Sequence, residues 1–301
     1  MKATIILNPR AGKRGLNGDL DPALRVLENA GWTLTVERTS APSDATTLAQ
    51  QAVDAGMEAV LVAGGDGTIN EAIQALAGTD TAFGYLPYGT VNIWAREVDI
   101  PLHVERAAHE MANGRVEQID LGLAGDRYFL LMAGIGFDGE VVRRTQEIEH
   151  HKGRFGILPY VLAGITTIPL YRGADVELRF DGIIRRVQAL MLVAGNTRLY
   201  GGRFHLTPNA VANDGWLDVS IIKGRGPIAL ARQSFPVLVL GSVDRADVEF
   251  LKVRELTVQS DEPVPVQVDG EPAGTTPLVL KVAPRALKAI VPASLKSDLI
   301  G

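Results

Sequence analysis

The stretch Ala59-Val60-Leu61-Val62-Ala63-Gly64-Gly65-Asp66-Gly67-Thr68-Ile69-Asn70-Glu71 joins an apolar run of strand character to a helical pattern through three glycines and one aspartate. Glycines at a strand-to-helix turn let backbone N–H groups approach an anion, and the helix N-terminus adds its dipole. The stretch therefore reads as a phosphate cradle. Asp66 separates it from a plain dinucleotide-binding loop, because a carboxylate beside phosphates is repelled unless a metal ion or a substrate hydroxyl stands between them. A phosphoryl-transfer site needs such a group.

Around this stretch, strand-like and helix-like segments alternate. Strands are expected at Thr4–Leu7, Thr33–Glu37, Ala59–Ala63 and Ala82–Leu86. Helices are expected at Leu20–Asn29, Ser43–Ala55 (with Ser43 or Asp44 as N-cap), Ile69–Leu76 and Val91–Glu97. This alternation predicts an α/β domain with a parallel sheet covered on both faces, whose ligands bind at the carboxyl ends of the strands. From about Asp120 short β-like runs take over, at Asp126–Met132, Asp175–Phe180, Arg185–Ala194, Trp216–Ile222, Glu255–Gln259, Val264–Val268 and Leu278–Val282, with Asp-Gly turns at Asp181-Gly182, Asp214-Gly215 and Asp269-Gly270 among their separators. Only Glu140–Glu149, Gly156–Thr167 and Pro227–Leu240 look helical there. The expected organisation is a nucleotide-type α/β domain over 1–120 and a β-rich domain over 121–283. The tail 284–301 is expected to pack back on the first domain.

The bulk numbers narrow the class. The chain has 301 residues, 46% of them hydrophobic and 22% charged, as in ordinary globular proteins. A formal net charge of −5 offers no electrostatic reason for a nucleic-acid partner. The absence of cysteine excludes disulfides and thiolate metal sites and suits a reducing cytoplasm. The apolar burst after Met1-Lys2-Ala3 is too short for a signal peptide. The uncharged run Phe155–Tyr171 spans 17 residues, short of the about 20 a bilayer needs.

Two further loops flank the cradle. Asn8-Pro9-Arg10-Ala11-Gly12-Lys13-Arg14 follows the first strand and combines a glycine turn with three basic residues. It is not a Walker A loop, since no Gly-Lys-Ser/Thr occurs in the chain. Leu86-Pro87-Tyr88-Gly89-Thr90-Val91-Asn92-Ile93-Trp94 ends another strand, with Thr90 placed to bond phosphate or ribose while capping the next helix. Together, Asn8-Pro9 with Gly12, Gly64–Glu71, and Pro87 with Gly89-Thr90 and Asn92 resemble the nucleotide site of the diacylglycerol kinase catalytic-domain family, in its bacterial soluble lipid-kinase branch. The likeness runs on through Ala133–Asp138, Gly201-Gly202 with Pro208–Ala210, Asn213-Asp214-Gly215 and Val268-Asp269-Gly270-Glu271. At the acidic position of the Ala-Asn-Asp-Phe sequence common in that family, this chain carries Ile93.

The resemblance implies a two-domain lipid kinase that binds ATP in the interdomain cleft. The implied nucleotide residues are Asn8, Pro9, Arg10, Ala11, Gly12, Thr39, Gly64, Gly65, Asp66, Gly67, Thr68, Asn70, Glu71, Thr90 and Asn92. It implies Glu271 as general base, Asp269 as orienting partner or metal contact, and Asp66 at metal or substrate. A structural Mg²⁺ or Ca²⁺ is implied on the Asp214 carboxylate with the Val211 and Trp216 carbonyls, an oxygen set that suits either ion. The acceptor is then a hydroxyl of a diacylglycerol-like lipid, and an insoluble substrate implies peripheral contact of a cytoplasmic protein with the inner membrane face. Two alternatives stand beside this reading: an NAD kinase, which shares Gly-Gly-Asp-Gly-Thr, and a non-catalytic nucleotide-binding regulator.

Two motifs point elsewhere. Gly134-Ile135-Gly136-Phe137-Asp138-Gly139 fits the G-x-G-x-x-G pattern of dinucleotide folds, yet no acidic residue follows about 20 positions on. Arg143, Arg144, His150, His151, Lys152 and Arg154 precede the apolar run and read either as a rim for anionic lipid headgroups or as a solvated helix before a core helix.

Overall fold

The computed structural model describes residues 1–12, 20–152, 158–240 and 248–301. Lys13, Arg14 and Arg154 lie outside the described residues, as do the side chains of His150, His151 and Lys152. The chain divides into two compact units: Met1–Leu121 with Val211–Asp214 and Pro284–Gly301, and Gly122–Ala210 with Gly215–Ala283.

The first unit contains β1 (Lys2–Leu7), α1 (Asp21–Asn29), β2 (Thr33–Arg38), α2 (Asp44–Asp54) and β3 (Ala59–Gly64). It continues with α3 (Asp66–Leu76), β4 (Ala82–Pro87), α4 (Ile93–Glu97), α5 (Val104–Asn113) and the start of β5 (Arg115–Ala124). β1 lies between β2 and β3, and β4 flanks β3, all parallel, with Ile5 beside Val36 and Leu61, and Leu61 beside Gly84. β3 and β4 are buried at every position, which is why both read as unbroken apolar runs. Strand order reverses at β1, so a crevice opens at the carboxyl ends of β1 and β3, the place where open α/β sheets bind ligands.

The second unit is built from β6 (Arg127–Phe129), β7 (Met132–Gly136), α6 (Phe137–Lys152), α7 (Leu158–Thr167), β8 (Ala174–Phe180) and β9 (Ile183–Gly195). Then come β10 (Leu199–Tyr200), β11 (Phe204–His205), β12 (Leu217–Lys223), α8 (Gly226–Leu240), β13 (Val248–Val253) and β14 (Glu255–Ser260). β15 (Pro265–Val268), β16 (Glu271–Thr275) and β17 (Leu278–Val291) complete it. Its pairings are antiparallel in the order β16-β15-β7-β9-β8-β14-β17, with β12 paired to β9 and β13 paired to β12. Ala133, Ile135, Leu192, Val219, Val266 and Val268 belong to its buried core. Asp181-Gly182 and Asp269-Gly270 turn the β8–β9 and β15–β16 hairpins with φ of +48° and +75°, and +47° and +85°. Positive φ at both central residues is the primed turn that matches strand twist.

Several expectations are corrected. Neither Ser43 nor Asp44 caps α2 as expected: Ser43 makes no side-chain cap bond, and the Asp44 carboxylate turns back to accept from the N–H groups of Ser40 and Ala41. The α2 terminus is served instead by Glu71, whose Oε2 accepts from Ala45 N–H at 3.2 Å. The third helix begins at Asp66 rather than Ile69, so the glycine stretch is its first turn. Asp126–Met132 is two strands, because the chain breaks at Leu130-Leu131. The strand expected at Leu278–Val282 runs on to Val291, and its later half lies in the first unit, with Ala289 beside Phe83 of β4. α5, β5, β13 and β16 fall outside the expected elements, although Val104, Ala107, Ala108 and Met111 recur at helical spacing in α5 and Ile119, Leu121 and Leu123 alternate in β5.

Candidate active site

Three loops converge at the carboxyl ends of neighbouring parallel strands. Asn8 follows β1, and its N–H donates to the Ala63 carbonyl at 2.9 Å. Its side chain has two tasks: Oδ1 accepts from Arg10 N–H at 3.0 Å, folding the loop, and Nδ2 donates to Thr68 Oγ1 at 2.9 Å. Thr39 N–H donates to Leu7 O at 2.9 Å, which places Thr39 at the same end of the sheet. Gly12 has φ +77°, and a Cβ there would lie 2.6 Å from the Tyr88 carbonyl oxygen. A Cβ on Gly89 would lie 2.6 Å from Gly65 Cα, so the second and third loops touch backbone to backbone. These contacts are the physical requirement behind the glycines.

α3 starts at Asp66 with Gly65 as an extended N-cap. The first N–H groups of a helix lack intrahelical acceptors, and its dipole favours an anion. Asp66 itself reaches across to the next loop, where its Oδ1 accepts from Ile93 N–H at 2.8 Å at the start of α4. The expected cap, Thr90, is exposed; Asn92 holds the N-cap position at φ +55° with no side-chain cap bond. Because Asp66 meets the backbone of residue 93, an isoleucine there preserves the contact. Tyr85 donates its hydroxyl to Asn92 Oδ1 at 2.8 Å, and Asn92 Nδ2 donates to Gly89 O at 3.1 Å. Burial, and then the Asp66 charge, push the Tyr85 hydroxyl pKa well above its ordinary range, so it stays a donor. Asn70 is buried, and Glu71 is turned toward α2. Both stand behind the loops rather than on them.

The second unit presents the carboxylates of the β15–β16 hairpin. Asp269 Oδ1 accepts from the N–H groups of Leu131 at 3.0 Å and Met132 at 2.9 Å, and Oδ2 accepts from Leu130 N–H at 2.9 Å. One carboxylate thus satisfies three consecutive backbone donors and creates the break between β6 and β7. Glu271 is half-exposed, and its Oε2 accepts from Arg127 Nη2 at 2.5 Å. The sequence places Asp269 and Glu271 in one motif; the turn gives them different surroundings.

The segment 211–216 is a turn with Gly215 at φ +77°. Ala212 N–H donates to Leu299 O at 2.7 Å, and Asn213 exchanges two hydrogen bonds with the backbone of Gly301, both at 3.0 Å. Asp214 is half-buried. Among the described residues, no three His, Cys, Asp or Glu side chains are grouped to hold a metal. A cation at this turn would rest on one carboxylate and backbone carbonyls, an all-oxygen set that fits a hard ion such as Mg²⁺ or Ca²⁺.

Residues 2–124 match the diacylglycerol kinase catalytic domain, and residues 132–291 match the YegS C-terminal NAD kinase beta sandwich-like domain. The chain belongs to the bacterial diacylglycerol kinase and YegS-like lipid kinase family. It is 33% identical over 296 residues to a Pseudomonas putida KT2440 protein named "Probable lipid kinase YegS-like", covering 97% of this chain and 96% of that one. It is 30% identical over 280 residues to the "Diacylglycerol kinase" of Bacillus subtilis 168, covering 92% and 91%. A crystal structure of a diacylglycerol kinase from Bacillus anthracis Sterne shares the fold, with a TM-score of 0.77 over 98% of both chains at 23% identity.

Within this lipid kinase fold, sequence reasoning missed Arg127, Tyr85 and Gln267. Arg127 follows an ordinary Gly-Asp turn, and nothing local marks it as the partner of a residue 144 positions away. Tyr85 reads simply as a core residue of β4. No helix among the described residues is long and apolar enough to cross a membrane.

Proposed function

We infer that this chain is an ATP-dependent lipid kinase in which the first unit holds the nucleotide phosphates and the second supplies the base. The observation that carries the reading is the triple-loop cradle at the reversal of strand order, combined with a chain-length match to lipid kinases. Glu271 is the base: Arg127 fixes Oε2, which leaves Oε1 for the hydroxyl of a diacylglycerol-like acceptor. The proton passes to Glu271 as the hydroxyl oxygen bonds to the γ-phosphorus, the bond to the β–γ bridging oxygen breaks, and ADP departs. Asp269 acts on the turn, holding Glu271 in place through the three N–H groups it binds.

The test is transfer of labelled γ-phosphate from ATP to diacylglycerol, monoacylglycerol, phosphatidylglycerol, ceramide and sphingosine in micelles, beside NAD. Label in one lipid is expected; label in NAD alone would move the chain to nucleotide chemistry.

Val211 and Trp216 carbonyls with the Asp214 carboxylate would hold Mg²⁺, which would neutralise local negative charge and brace the turn. Adding Mg²⁺ is expected to raise the thermal midpoint of the wild type and to leave that of Asp214→Ala unchanged. Equal shifts in both would remove Asp214 from the metal set.

A membrane-resident substrate also calls for contact with its surface. Gly226 N–H donates to Arg172 O at 3.0 Å, which brings together the chain after α7 and the start of α8. Leu170 and Ile228 are exposed there beside exposed Arg172 and Arg225, an apolar and basic mixture suited to an anionic bilayer. Ile228→Asp is expected to weaken co-sedimentation with phosphatidylglycerol vesicles; unchanged sedimentation would place the contact elsewhere.

A further inference from the structure

The G-x-G-x-x-G run at Gly134–Gly139 binds no dinucleotide phosphate in the reading above, yet its glycines are tightly constrained. A Cβ on Gly134 would overlap the Asp138 carboxylate and lie 2.7 Å from Gln267 Nε2. A Cβ on Gly139 would strike the backbone of Pro265. The glycines let the junction of β7 and α6 close against β15, and they enclose Asp138 and Gln267, both almost wholly buried.

There the two side chains form a directed relay. Gln267 Nε2 donates to Asp138 Oδ2 at 2.6 Å, and Asp138 Oδ1 accepts from the Tyr200 hydroxyl. Gln267 Oε1 accepts from Gly270 N–H at 2.7 Å. The carboxylate can only accept, so it fixes which end of the amide faces it, and the amide oxygen is thereby turned to the hairpin. Gly270 is the central residue between Asp269 and Glu271, and the turn has positive φ at both of its central positions.

We propose that Gln267, oriented by Asp138 and Tyr200, is a positioning residue that sets the Asp269-Gly270-Glu271 turn and hence the placement of the base. The proposal rests on the assignment of Glu271 as base. Three N–H bonds to Asp269 anchor one side of the turn, and the Gln267 carbonyl oxygen anchors the other. With the second anchor gone, the hairpin stays paired but Glu271 loses its fixed direction. Misplacement of a reacting group by a fraction of an ångström to an ångström lowers rate far more than it lowers binding of a nucleotide held elsewhere.

The experiment measures kcat and the KM for ATP in Gln267→Leu, Asp138→Asn, Asp138→Leu, Tyr200→Phe and Glu271→Ala, with thermal midpoints for each. Gln267→Leu is expected to lose about 10- to 100-fold in kcat with KM for ATP within about twofold. Asparagine at 138 can still accept from Gln267 and donate to the Tyr200 oxygen, so Asp138→Asn is expected to keep most of the rate that Asp138→Leu loses. A folded Gln267→Leu with wild-type kcat, or with its loss carried by KM for ATP, overturns the proposal. So does an Asp138→Asn as slow as Asp138→Leu. If Gln267→Leu does not fold, Tyr200→Phe decides: a lower kcat at unchanged KM for ATP supports the relay, and wild-type kcat removes it. Wild-type turnover in Glu271→Ala would show that the base assignment itself fails; an inactive Glu271→Ala beside a fully active Gln267→Leu would discard only the positioning role.

Discussion

Glu271→Ala is expected to lower kcat for lipid phosphorylation by about 10²–10⁴-fold, the range that loss of a general base produces. ATP binding should stay near the wild-type level, because Glu271 belongs to the second unit while the glycine cradle belongs to the first. Gly89→Ala makes the reciprocal case. Its Cβ would press on Gly65 Cα and lie 2.5 Å from Asn92 Oδ1, so the second and third loops must separate. ATP affinity should then fall about tenfold or more while the β15–β16 hairpin is untouched. Nucleotide titration and single-turnover kinetics on the two variants separate the roles. A Glu271→Ala enzyme that turns over at the wild-type rate would sink the base assignment.

Asp269→Ala is expected to damage the fold of the second unit as well as its activity. Three successive N–H groups, of Leu130, Leu131 and Met132, lose a charged acceptor. Hydrogen bonds to charged groups contribute about 1.5–3 kcal/mol each, and water can replace part of this at a half-buried carboxylate, so a loss of about 3 kcal/mol is reasonable. Asp269→Asn should fall between, since one amide oxygen can serve Leu131 and Met132 while the amide nitrogen faces the Leu130 donor. Denaturant unfolding measures the difference. A wild-type midpoint in Asp269→Ala would mean that water holds the Leu130–Met132 backbone as well as the carboxylate does.

How much of the site could be read beforehand depends on the range of the contact. Gly64, Gly65 and Gly89 are visible because each marks a strand end within its own few residues, and the α/β alternation around them is local. Asp66 is visible as an unusual carboxylate, yet its contact with Ile93 N–H spans 27 residues and has no local signature. Glu71 looks like part of the glycine motif, but the helix phase turns it toward Ala45 and the start of α2. The dinucleotide-like run at Gly134–Gly139 is set aside for want of the acidic residue about 20 positions on, yet what its glycines admit instead has no local signature. Glycines that admit a phosphate and glycines that admit a neighbouring carboxylate are written alike.

By itself the sequence determined the parallel α/β first unit, the β-rich second unit, the Asp-Gly turns of the β8–β9 and β15–β16 hairpins and the position of the cradle at strand ends. All of these follow from hydrophobic period and from glycine or Asp-Gly conformational preference, which act over a few residues. Only the tertiary structure decided the partners of the carboxylates: Asp66 with Ile93, Glu271 with Arg127, Asp269 with Leu130–Met132, and Asp138 with Gln267. A side-chain oxygen bonds whatever donor the folded chain brings within about 3 Å, and that donor can lie more than a hundred residues away in sequence.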